Sequence, residues 1–161
     1  RFITQFKQAF SNEGLYIKIY KSGFEVFKNY PLFGVGNKNY RVESCKNPNQ
    51  NNIESTKKYQ CTTHPHQIYL EFLSEHGFFG SLIMFYLFYK LIFSKVKFVL
   101  RDNNYLQLGS FIYLTLVFLP LIPSGAFFND YMLTLFVINL SIFYASSFNL
   151  NIFKNNIKNN H

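Results

Sequence analysis

The sequence predicts an all-α integral membrane protein: an amphipathic helix and an extracytoplasmic loop, followed by three transmembrane helices. Three observations carry this. Charge is distributed very unevenly, since residues 78–93 hold only Lys90 and residues 103–153 hold only Asp130. A soluble core interleaves charges every few residues. Phe (21) and Tyr (12) are in large excess while only 15% of residues are charged. Three apolar segments, about residues 78–93, 106–122 and 131–150, each approach the roughly 20 residues needed to cross about 30 Å of hydrocarbon.

Taken in order, residues 2–10 place Phe2, Ile3, Phe6, Ala9 and Phe10 on one helical face. From Leu15 to Phe27 the pattern returns, with Leu15, Tyr16, Ile19, Tyr20, Gly23, Phe24 and Phe27 on one side and Lys18, Lys21, Glu25 and Lys28 on the other. Pro31 ends that helix, and Gly34-Val35-Gly36 makes a turn. Residues 37–62, rich in Asn, Lys and Ser, read as an irregular loop. A short helix fits residues 65–76, with Thr63 or His64 as cap, Pro65 in its first turn and Gly77 at its end. The apolar segments follow directly, Lys90 near the end of the first being able to snorkel. Pro120, Pro123 and Gly125 form the turn between the second and third, and Asn129 and Asp130 start the last helix. The organisation is therefore a loop region (1–77), a three-helix region (78–150) and a tail (151–161). A chain opening on Arg1, with no initiator Met, is expected to be the C-terminal portion of a larger protein.

Loop charges give the orientation. Lys90, Lys95, Lys97 and Arg101 flank the first connection against Asp102, and the tail carries Lys154 and Lys158, whereas residues 123–130 have no Lys or Arg. The positive-inside rule places residues 94–104 and the C-terminus in the cytoplasm, and the turn at 123–130 with everything before Phe78 outside. Residues 1–64 nevertheless hold ten Lys or Arg against four Glu. Long translocated loops are exempt from the rule, and a basic external loop beside a bilayer suits an anionic headgroup such as a diphosphate. Because the net charge of +8 is not gathered on one helix or arm, nucleic acid is not an expected partner. Cys45 and Cys61 flank much of the loop; in an oxidising compartment they can pair, and otherwise they are two free thiols.

The densest chemistry lies between Thr62 and Gly80. His64 and His66 stand at a helix start, where backbone N–H groups favour an anion and a neutral imidazole can act as a base near pH 7. Glu71 and Glu75 share a helix face and read as a solvated or lumen-facing pair. His76, beside Gly77, reads as a helix-end residue favoured by the dipole. A zinc set of His64, His66 and Glu71 or Glu75 would need a fixed geometry that a His-x-His at a helix start does not imply; no metal or other cofactor is expected.

His66-Gln67, nine residues, Gly77, two residues, Gly80 resembles the signature loop of the O-antigen ligase and polymerase family, and Phe27 to Gly36 (FKNYPLFGVG) resembles the stretch that precedes it. The likeness covers roughly residues 15–95. It implies a polytopic glycosyltransferase of the bacterial inner membrane, with the His-motif loop periplasmic, working in cell-surface polysaccharide synthesis. Such an enzyme moves a glycan from a polyprenyl-diphosphate carrier to a sugar or lipid-linked sugar acceptor. His66 is then the leading catalytic candidate, with His64 beside it, and Gln67, Glu71, Gly77 and Gly80 in support. Many members carry an Arg early in the amphipathic helix, near where this chain has Tyr16 and Lys18; the nearest cations here are Lys18 and Lys21. Arg41 follows the Gly-x-Gly turn and is preferred for the diphosphate, with Lys18, Lys21 and Lys38 as further cations, because Arg offers a bidentate fork and Lys does not. The alternative is a non-catalytic or transport-related membrane protein whose basic loop binds anionic lipid; the near absence of ionisable residues in the apolar segments counts against ion-coupled transport.

Overall fold

The computed structural model describes residues 14–46, 61–120 and 123–147. The amphipathic pattern at 2–10, most of the Asn-rich loop, the ends of the second and third apolar segments and the tail lie outside the described residues. Among the described residues the chain is helical, with no strand. It divides into two units, one of residues 1–84 and 120–129, the other of residues 85–119 and 130–161.

In the first unit, helix α1 spans Leu15–Asn29 and buries Ile19, Ser22, Gly23 and Val26. Ile19 and Gly23 belong to the expected face, but that face is turned toward Ser22 and Val26, leaving Leu15 and Phe24 57% and 45% exposed. Close approach selects small side chains instead. A Cβ on Gly23 would stand 2.9 Å from the Pro65 Cβ, and Ser22 Oγ accepts from the hydroxyl of fully buried Tyr40 at 3.1 Å. Tyr40 opens α2 (Tyr40–Ser44).

Helix α3 (Ile68–Leu91) begins later than predicted. His66 adopts a left-handed backbone (φ 52°), which excludes it from the helix, and Gln67 rather than Thr63 or His64 is the cap. Its Oε1 accepts from Leu70 N at 2.7 Å, while its carbonyl accepts from Glu71 N at 3.0 Å.

At Gly77 (φ 65°, ψ −167°) α3 breaks and then resumes without a loop. A break in a helix strands carbonyls on one side and amides on the other. Here the turn after α1 takes up both. Val35 N and Gly36 N donate to the carbonyls of Ser74 (3.0 Å) and Glu75 (2.8 Å), and Phe78 N and Phe79 N donate to the carbonyls of Pro31 (2.8 Å) and Leu32 (3.2 Å). Side chains would prevent this approach: a Cβ on Gly34 would overlap the Glu75 carbonyl. Gly80 has a related reason, since the break brings the His76 Cβ to 2.6 Å from where its own Cβ would be.

The second unit contains the end of α3, a 3-10 turn at Phe93–Lys95, α4 (Val96–Arg101), α5 (Tyr105–Leu116) and α6 (Asp130–Ala145). The connection expected at 94–104 is thus largely helical. Phe88, Phe118 and Phe136 meet at centroid distances of 4.8, 5.4 and 6.1 Å to form the core. Asn104 caps α5 through Leu106 N and Gln107 N and donates to Ser146 O at 2.7 Å, tying the start of α5 to the end of α6. The helix of the second apolar segment stops at Leu116 rather than near 122, ahead of Pro120, which lacks a backbone donor.

One helical run among the described residues, Ile68–Arg101, is long and apolar enough to cross a membrane. Helices α5 and α6, with 12 and 16 residues, rise about 18 and 24 Å at 1.5 Å per residue.

Candidate functional site

The segment carrying the two histidines is fixed from several directions. Cys61 is joined to Cys45 at the end of α2, with Cα atoms 4.5 Å apart. Ser44 Oγ donates to Thr62 O (3.1 Å), and Thr62 Oγ1 to His64 O (3.1 Å). Thr63 Oγ1 lies 2.9 Å from His64 Nδ1. The rings of His64 and His66 sit 4.0 Å apart, and Tyr16 of α1 meets His66 edge-on at 6.2 Å. The carbonyl of His66 accepts from Ser124 N at 2.9 Å.

A cavity of about 400 Å³ opens beside this segment. Lys38 and Arg41 line it from the turn and α2, Thr63 and His64 from the histidine segment, Glu71 and Glu75 from α3, and Ala126, Phe128 and Asn129 from the turn before α6. Sequence-predicted residues are therefore brought together in part. Arg41, Lys38 and His64 share the cavity, and His66 adjoins it through its ring contact with His64. Lys18 and Lys21 stand on the exposed side of α1 and are not among the described lining residues. Gln67 acts as a helix cap, and Gly77 and Gly80 permit the break.

Glu71 and Glu75 are not a solvated pair; they are 2% and 3% exposed. Each finds backbone donors outside its own helix. Both oxygens of Glu71 accept from Phe127 N at 3.0 Å, and Glu75 Oε2 accepts from Lys38 N at 3.0 Å. Burial pushes Glu71 up to about 7, reinforced by the neighbouring Glu75 and opposed by the Phe127 and Phe128 amides. Burial also raises Glu75, against the Lys38 and Tyr40 amides and the Lys38 charge. His64 is shifted the other way, below the usual histidine range, by burial and then by His66, with the Ser124 backbone opposing. A neutral imidazole is thereby favoured near pH 7, the form a general base requires. His76 is likewise lowered by burial, packed edge-on against Phe128 at 5.2 Å. Among the described residues no three His, Cys, Asp or Glu side chains group as metal ligands.

Thr63, Phe128 and Asn129 are lining residues that sequence reasoning missed. A turn without Lys or Arg, closed by two aromatics and Asn-Asp, carries a weak signal, visible only once Glu71 is known to hold its backbone.

The arrangement offers two cations, two buried carboxyl groups, a neutral imidazole and an aromatic–amide wall around one space. Comparison with known proteins adds one finding: residues 2–85 match the model of a family described as O-antigen ligase. No curated protein matches the chain, and no solved structure does. The matched stretch contains both halves of the backbone junction at Gly77 as well as His64 and His66, and the chain belongs to the O-antigen ligase family.

Proposed function

We propose that this chain forms the donor and catalytic part of a membrane glycosyltransferase that moves a glycan from a polyprenyl-diphosphate carrier to a sugar or lipid-linked sugar acceptor. One observation carries the reading: Arg41, Lys38 and His64 line a single cavity, with His66 at ring contact beside it. The acceptor hydroxyl gives its proton to an imidazole, His66 in the leading role with His64 adjoining. The oxygen forms a bond to the anomeric carbon, and the bond from that carbon to the carrier diphosphate breaks. Arg41 and Lys38 offset the charge of the departing diphosphate, and groups placed where charge develops supply a large share of many rate enhancements. The left-handed backbone of His66 fits this role, because strain concentrates where the surrounding structure holds a side chain for function.

In this reading the site lies at the outer face of the bacterial inner membrane, residues 78–93, 106–122 and 131–150 cross it, and the C-terminus is cytoplasmic. Phe78, Phe79, Leu82 and Ile83, just beyond the break, are each about half exposed, as lipid-facing residues would be. The test is a surface-glycan profile of cells lacking the intact protein. Loss of one glycan linkage, with carrier-bound glycan accumulating, is expected; an unchanged profile would remove the proposal.

A further inference from the structure

The turn at 123–129 is neither cationic nor part of the residues matched to the family, yet it is anchored to the histidine segment and to α3. Ser124 N is bound to the His66 carbonyl at 2.9 Å. Phe127 N is bound to both oxygens of Glu71, and the Phe127 ring, 3% exposed, meets Phe72 edge-on at 5.3 Å. These contacts fix the two residues that follow. Phe128 is further held between the rings of Phe72 (5.7 Å) and His76 (5.2 Å). Both Phe128 and Asn129 line the cavity that Arg41 and Lys38 enter.

The chemistry of this wall complements what the cations lack. Lysine and arginine match phosphate oxygens. An aromatic ring presents a flat apolar surface to the C–H face of a pyranose, and a carboxamide can both donate to and accept from sugar hydroxyls. Binding sites fix orientation with a few such polar groups set among apolar ones. A ring already locked by its neighbours loses little freedom on contact.

The geometry points to Phe128 and Asn129 as specificity-determining residues that contact the sugar directly attached to the carrier diphosphate. This rests on the proposed glycosyl transfer. The test uses the intact protein in nanodiscs, with equilibrium binding of two lipids, polyprenyl diphosphate and polyprenyl diphosphate bearing one sugar. Phe128→Leu and Asn129→Ala are expected to weaken the sugar-bearing lipid about tenfold, the scale of one lost hydrogen bond or ring contact, and to leave the sugar-free lipid within about twofold. Asn129 is exposed, so its variant keeps the fold even if the Phe128 variant does not. Equal weakening of both lipids, or no weakening of either, would overturn the assignment while leaving glycosyl transfer standing. Failure of the unaltered protein to bind either lipid would overturn both.

Discussion

Gly34 and Gly77 meet backbone to backbone: a Cβ on Gly77 would lie 2.5 Å from the Gly34 nitrogen, and both residues hold positive φ, 68° and 65°. The turn after α1 and the glycine of the helix break are thus two halves of one junction, although they are far apart in sequence. Each supplies the hydrogen-bond partners that the other's conformation strands.

Gly77→Ala should therefore be severe. It adds a strained left-handed alanine to a clash with main chain, about 2–4 kcal/mol in combination. Membrane-inserted yield and thermal stability of the intact protein should both fall. Gly109→Ala is the internal control, because nothing lies within 4 Å of its added methyl in the interior of α5. There, exchanging Gly for Ala should be neutral or stabilise by up to about 1 kcal/mol.

The cations should separate by position. Arg41→Lys removes the bidentate fork and should raise the donor KM roughly tenfold, with Arg41→Ala worse. Lys18→Ala and Lys21→Ala, on the exposed side of α1, should leave donor KM within about twofold. Steady-state kinetics with a defined carrier-linked glycan checks this; an equal effect at all positions would place the diphosphate elsewhere.

Glu71 makes stability pH-dependent in a definite direction. Its folded value, about 7, is raised above its ordinary value of 4.5. Between these pH values the folded protein binds more protons than the unfolded chain, so stability is fully present below about 4.5 and declines as pH rises through about 7. Glu75, also raised, acts in the same direction, with Lys38, Arg41 and His64 the other ionisable groups around the cavity. Glu71→Gln keeps an oxygen for Phe127 N and should flatten the decline in Tm across this window without removing it. An unchanged slope would mean that Glu71 is ionised throughout.

The bond between Cys45 and Cys61 spans a sequence separation of 16 residues, for which loop closure is worth about 3 kcal/mol. Cys45→Ser with Cys61→Ser should lower thermal stability and loosen the neighbouring histidine segment, raising its amide exchange. No change in either would mean that the bond does not hold the histidine segment.

Much of this was legible in the sequence because the controlling features are local. Pro31 and the Gly-x-Gly turn, the start of α1 near Leu15 and the break at Gly77 all follow from backbone preferences of single residues. What was not legible depends on partners distant in the chain. The buried face of α1 was read correctly at Ile19 and Gly23 but not at Ser22, which is buried for its bond with Tyr40 and not for its own hydrophobicity. Glu71 and Glu75 looked solvated because nothing near them announces that amides at Phe127 and Lys38 need acceptors. Gln67 was passed over as a cap because Thr63 and His64 precede a proline, the more familiar arrangement. Arg41 and His64 were each named as candidates, but their shared cavity is created by the fold of α2 onto α1 and the bond at Cys61.

In the proposed transfer, activation of the acceptor rests on the paired imidazoles. This is tested most directly by measuring glycan transfer from a polyprenyl-diphosphate donor by the purified intact protein carrying His66→Ala or His66→Asn. Asparagine tolerates the left-handed backbone at this position, so folding is preserved while the base is lost. The asparagine variant should insert normally, bind donor and fail to transfer, and the alanine variant should fail to transfer whatever its yield; transfer at the unaltered rate by the asparagine variant would exclude His66 as the base.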